Sequence, residues 1–159
     1  MRKEEREVKS TEKLAEILSR CDTIRIGICD GGTPYVVPVS FGYEVLDGKI
    51  AVYIHGAKEG RRAGLLSGRP RVCVEADLCH GFPQNENGGV TCDYESVIGW
   101  GTVELLDGAD AEKGIRLLME HCGIAGQGCP ENAMPVTRVN RIVLDEATGK
   151  HRNLQNLNA

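Results

Sequence analysis

Between residues 58 and 71 the chain carries Lys58, Arg61, Arg62, Arg69 and Arg71 against a single acid, Glu59. On a helix, Lys58 stands three and four residues from Arg61 and Arg62, so the three cationic heads meet on one side. That costs about a few tenths of a kcal/mol per pair. Such a run is either a solvated face or the seat of an anion. Its position speaks for the anion: it directly follows a strand that ends in His55-Gly56. A strand end, a glycine turn and a helix start together place free backbone N–H groups beside cations, a combination suited to phosphate. The arginine fork matches two phosphate oxygens. His55 is the best candidate for moving a proton, because imidazole titrates near neutrality. Its alternative role is a ring or phosphate contact with no proton transfer.

The phosphate carrier is narrowed by what is missing. Neither G-x-G-x-x-G nor the Walker pattern occurs, so dinucleotide and P-loop sites lack support. A mononucleotide resting against strands remains. No Ser-His-Asp or paired-carboxylate arrangement can be picked out, so a hydrolase is not expected. The seven cysteines (Cys21, Cys29, Cys73, Cys79, Cys92, Cys122 and Cys129) are odd in number and include no C-x-x-C, which favours free thiols over a disulfide framework. Cys79-His80 with Cys92, or His121-Cys122 with Cys129, supply metal-ligating atoms, but the spacings match no zinc pattern and no metal is expected. His80, His121 and His151 read as surface or loop residues. Trp100 and Tyr35, Tyr43 and Tyr53 read as packing residues.

The elements that must position these groups follow from periodicity. Ser10 or Thr11 can cap a helix to Cys21, with Leu14, Ile17, Leu18 and Cys21 on one face. Residues 23–29 alternate as a strand with Ile24, Ile26 and Ile28 buried. Asp30-Gly31-Gly32 is a hairpin turn leading to a strand over 35–43, with Tyr35, Val37, Val39, Phe41 and Tyr43 sharing a face. Pro38 within it implies a bulge, an edge, or a place where something other than a strand lies alongside. A turn at Asp47-Gly48 leads to a strand over 49–55. A short helix is expected within 56–67 and a strand over 71–77. Residues 78–93 read as a long irregular stretch, and 94–106 as a long strand. Gly99 and Gly101 on that strand leave room for close approach of another group, such as a planar ring. A helix over 109–122, with Ile115, Leu118, Met119 and Cys122 as its stripe, precedes a last strand over 136–144 and a polar tail over 145–159. The expected fold is mainly β with peripheral helices: one domain whose six antiparallel strands close into a small barrel.

Composition excludes several classes. The chain has 159 residues, 41% apolar and 26% charged, which suits one folded domain rather than a disordered chain. Its net charge of −4, and aromatics that do not interleave with the 58–71 cations, argue against nucleic acid as a partner. No apolar run approaches the roughly 18–20 residues of a membrane span. The charged N-terminus lacks the apolar core of a secretory signal, so the expected compartment is the cytoplasm.

Taken in order, YVVPVSFGYE (35–44), YIHGAKEGRR (53–62), RPRVCVEAD (69–77) and YESVIGWGTVEL (94–105) resemble the pyridoxamine 5′-phosphate oxidase-like flavoproteins. More narrowly, they are similar to the branch that includes the 5-nitroimidazole-resistance proteins. The matches span roughly residues 1–150, and the 55–62 segment is the most specific. The resemblance implies a split β-barrel, FMN as cofactor, and a homodimer with two flavin sites at the subunit interface. By it, Val37, Pro38, Val39 and Ser40 border the isoalloxazine, with His55 and Gly56 close by. Lys58, Arg61 and Arg62 hold the phosphate, Arg62 matching the family's usual basic position best. Ser96 completes the pocket, from the same or the other subunit. The implied activity is FMN-dependent oxidoreduction of a small molecule, nitro-aromatic or quinone-like, with NADH or NADPH as electron donor. The alternative is a flavin- or haem-binding protein without turnover. The chain lacks a recognisable C-terminal Arg/His substrate segment, so vitamin B6 synthesis is not the expected activity.

Overall fold

The computed structural model describes residues 3–84, 87–124, 126 and 133–152. A short strand β1 (Glu7–Val8) precedes helix α1 (Thr11–Ser19) and strands β2 (Ile24–Asp30), β3 (Thr33–Val39), β4 (Gly42–Leu46) and β5 (Lys49–Ala57). Helix α2 (Arg61–Ser67), strands β6 (Arg71–Gly81) and β7 (Asp93–Leu106), helix α3 (Gly108–His121) and strand β8 (Thr137–Arg152) follow. Pairing is antiparallel throughout, in the order β3-β2-β6-β7-β8-β5-β4, with β1 added beside β8.

That order explains how the sheet curls. β3 and β4 are its two outermost strands, yet only Ser40 and Phe41 separate them in sequence. A link of two residues reaches roughly 10 Å, so the two edges must be brought side by side. The result is a split barrel: a sheet wrapped round a core, its edges adjoining but not hydrogen-bonded to each other. Phe41, fully buried, plugs the seam. The single strand expected over 35–43 is therefore two strands that serve opposite edges. Gly42 lets the chain pass hard against α3 as it changes course, because a Cβ there would collide with the backbone of Leu117 and Leu118. Pro38 sits on the edge strand β3, where its missing N–H breaks no ladder.

Inside the barrel, Ile24, Ile26 and Ile28 of β2 meet Ile50, Val52 and Ile54 of β5, Val72 and Val74 of β6, and Ile142 and Leu144 of β8. Helix α1 adds Leu14, Ile17 and Leu18 to this core and is capped by Ser10, whose Oγ accepts from the Lys13 N–H at 3.4 Å. A second cluster lies outside the sheet, where α3 covers Ala51, Tyr53 and Val139. Its buried stripe is Ala111, Gly114, Ile115 and Leu118; Met119 is only half-buried and Cys122 is exposed, contrary to the expected stripe. Gly114 allows the close approach, since a Cβ there would meet Tyr53 and Val139 at 2.8 and 3.0 Å.

Three other expectations change. The last strand does not stop at Leu144: β8 runs to Arg152 alongside β7, so residues 145–152 belong to the sheet, and only 153–159 of the polar tail lie outside the described residues. The 78–93 stretch is mostly hairpin, with β6 reaching Gly81, β7 starting at Asp93 and a bridge between Gln84 and Val90; residues 85 and 86 lie outside the description. Gly99 and Gly101 make room for β8. A Cβ at Gly101 would overlap the Val143 carbonyl, and one at Gly99 would meet Leu144 at 2.7 Å, where the β7–β8 register shifts. Among the described residues no helix is long and apolar enough to cross a membrane.

Candidate functional site

The seam brings β3 beside the end of β5, and the turn into α2 closes a hollow between them. Tyr35 and Val37 of β3, Ala57, Glu59, Gly60, Arg61, Arg62 and Ala63 line it, around a cavity of about 310 Å³. Gly60 has φ 101°, a left-handed conformation that suits glycine and lets the chain turn from the strand into α2.

Each cation in this region has a distinct anchor. Arg62 folds back over β5, where its Nη2 donates to the His55 carbonyl at 3.0 Å. It lies so close to Gly56 that a Cβ there would overlap the guanidinium. Arg61 donates from Nε and Nη2 to Asp30 Oδ2 at 2.9 and 2.7 Å, and its guanidinium carbon lies 4.6 Å from the centroid of the Tyr35 ring. Asp30 thus aims Arg61 across the β2–β3 turn while Tyr35 supports its flat face. Lys58 points away, its Nζ donating to the Pro135 carbonyl.

His55 shares the outer face of β5 with Ala51 and Tyr53, but α3 does not cover it and its ring stays exposed. Neighbouring protein strips part of its hydration, and the Arg62 charge adds to the effect; both hold its pKa below the ordinary imidazole value. Its contact with Arg62 is through the backbone carbonyl.

The structure therefore gathers Val37, Arg61 and Arg62 round one hollow; His55 and Gly56 do not line it but touch Arg62, the former through its carbonyl. Pro38 and Val39 at the end of β3, and Ser40 in the link that follows, continue past the hollow without lining it. Ser96 lies in β7 between Asp77 and Lys150, and does not line it either. Sequence reasoning missed Tyr35 as a wall of the hollow and Asp30 as the partner of Arg61. The Asp30-Gly31 turn was visible, but only the curl of the sheet shows that it faces α2. Among the described residues no group of three His, Cys, Asp or Glu side chains could hold a metal ion; Cys129 lies outside them.

On the far side of β3 the sheet presents apolar side chains to solvent. The register aligns Val36, Gly27, Cys73 and Trp100 across β3, β2, β6 and β7. Val36 is 59% exposed and Trp100 37%, with Ile98 beside it at 37%.

The profile of the pyridoxamine 5′-phosphate oxidase family matches residues 10–151. No curated protein matches the chain. Among solved structures, a Bacteroides thetaiotaomicron protein described as a candidate 5-nitroimidazole antibiotic resistance protein is 26% identical, with a TM-score of 0.79 over 91% of this chain and 85% of that one. A flavocytochrome from Azotobacter vinelandii is 23% identical, with a TM-score of 0.74 over 92% of this chain and 69% of that one. An FAD- and heme-binding protein from Mycobacterium smegmatis is 19% identical, with a TM-score of 0.77 over 93% and 74%. The latter two likenesses are of fold.

Proposed function

The chain belongs to the pyridoxamine 5′-phosphate oxidase family, and from that premise we propose that it is an FMN-dependent oxidoreductase acting on a small molecule of nitro-aromatic or quinone-like chemistry. The observation that carries this reading is the pair Arg61 and Arg62 converging on one hollow beside the edge strand β3. The residues fit a phosphate. Arg62 uses one N–H on the His55 carbonyl, and Arg61 is oriented by Asp30 through its Nε and Nη2 edge, which leaves Nη1 to turn toward an anion. At about 310 Å³ the hollow is at the small end of ligand sites, which run roughly 300–1,000 Å³. It suits the phosphate and sugar-alcohol end, with the ring extending along Val37, Pro38, Val39 and Ser40.

A bound flavin supplies the electron transfer. This chain's residues bind and orient it: Arg61 and Arg62 at the phosphate, the β3 edge at the ring. The loss of hydration and the Arg62 charge favour the neutral imidazole of His55, which can donate or accept a hydrogen bond. The second reading is a flavin- or haem-binding protein without turnover. Reduction assays with NADH or NADPH as donor separate the two.

The reading includes a homodimer joined through the outward face that carries Val36 and Trp100, with Ser96 reaching the site of the other subunit. It also includes a cytoplasmic location.

The test is the visible absorbance spectrum of the purified protein, followed by FMN titration. Flavin bands, with FMN released on denaturation, are expected. A colourless protein that takes up no FMN on titration would overturn the reading.

A further inference from the structure

Cys79, near the end of β6, and Cys92, just before β7, place their Sγ atoms 3.6 Å apart. The register explains the meeting. Cys79 pairs with Tyr94, so Cys92, two residues earlier, is its diagonal neighbour on the same face. The pairing then slips, Gly81 facing Asp93, which leaves His80 as an extra residue in β6. His80 Nε2 lies 3.1 Å from Glu95 Oε2. Cys79 is exposed and Cys92 half-buried, the latter also donating to the Asp93 carbonyl at 3.6 Å. This is the one thiol–thiol contact among the described residues.

We infer that Cys79 and Cys92 form a reversible dithiol–disulfide pair that exchanges with low-molecular-weight disulfides of the glutathione type. The separation must shrink from 3.6 Å to about 2.0 Å, a small shift beside the loop that joins β6 to β7. The exposed Cys79 thiolate attacks one sulfur of the small disulfide, forms a mixed disulfide and releases one thiolate. The Cys92 thiolate then attacks the Cys79 sulfur, forms the internal bond and expels the second. Two electrons pass from the protein to the small disulfide, and the protons of Cys79 and Cys92 end on the two released thiols. Loss of hydration, the Cys79 contact and the Asp93 charge raise the Cys92 pKa, so the second step quickens as pH rises. Cys21, buried and pushed up to about 11, stays out of the exchange. The inference is independent of any cofactor.

The test treats the whole, natively folded chain with oxidised glutathione, alkylates the remaining thiols and maps the peptides by mass spectrometry. A Cys79–Cys92 cross-link that dithiothreitol reverses is expected, forming faster at pH 8.5 than at pH 7 by about the rise in thiolate fraction. Cys92→Ser should instead retain a glutathione adduct on Cys79. The inference fails if Cys79 and Cys92 remain alkylatable, if the wild-type chain keeps a stable adduct on Cys79, or if either residue pairs with Cys129 or with a second copy.

Discussion

At the scale of single residues, the cations of the 58–62 segment divide by what holds them. Arg62 faces the hollow, whereas Lys58 is directed at Pro135. Arg62→Ala should weaken FMN binding about 10- to 100-fold, since a charge-assisted contact to an anion contributes roughly 1.5–3 kcal/mol. Lys58→Ala should leave affinity within about twofold. Fluorescence titration of FMN checks both, and equal losses would contradict the division. Removing Arg62 also removes a positive charge beside His55. Its pKa, lowered in the folded chain, should rise in Arg62→Ala while remaining below 6.5, because loss of hydration is the larger cause. NMR titration of the imidazole reads this directly. The cation cluster itself was plain in the sequence. Its partners were not, because Asp30 and Pro135 are 31 and 77 residues away from the cations they hold, and which residues meet at such distances depends on strand register.

At the scale of elements, alternation located β2, β6 and β7 because each buries one face in the barrel and keeps its period of two; β5 was found by the same pattern of residue types although α3 covers its outer face at Ala51 and Tyr53 as well. It failed at Ser40-Phe41, where Phe41 continues the apolar alternation although the chain is passing from one sheet edge to the other. It failed again after Leu144, where β8 keeps pairing while its outward residues turn polar: Asp145 and Glu146 both accept from Arg71. Gly42 holds the seam to α3, so Gly42→Ala should cost about 1–3 kcal/mol, the usual penalty of overpacking against atoms that cannot yield. Urea denaturation measures it. Glu95 ties three elements: Arg20 after α1 donates to its Oε2 at 2.7 Å, His80 of β6 lies 3.1 Å from the same atom, and His151 of β8 lies 3.9 Å from Oε1. Burial raises its pKa, but the Arg20 and His80 hydrogen bonds outweigh that and hold it below 4.5. The carboxylate's contribution is therefore fully present above about pH 4.5 and is lost as pH falls through the lower folded value. Glu95→Gln should lose about 1–2 kcal/mol at pH 7, and the gap to the wild type should narrow in acid.

At the scale of the whole molecule, the outward face of β3, β2, β6 and β7 has the layout of a protein–protein interface. Its middle row is Val36, Gly27, Cys73 and Trp100, and the glycine leaves a notch between the exposed valine and the indole. Ion pairs frame the row on both sides: Arg25 with Glu75 and Asp77 on one, Arg71 with Asp145 and Glu146 on the other. An apolar centre with a charged rim is what a specific contact needs, with an exposed tryptophan as its anchor. A second copy meeting this face about a two-fold axis would set the edge strand β3 of one subunit, and the hollow behind it, beside β7 of the other, the strand that carries Ser96. Trp100→Glu places an unpaired charge at the centre of the contact. It should convert the proposed dimer to monomer in light scattering while circular dichroism stays unchanged, because Trp100 points away from the barrel core. FMN affinity should fall together with dimerisation if the site is shared. A monomer that binds FMN as tightly as the wild type would confine the site to one chain, and a dimer that survives the substitution would move the interface to another face.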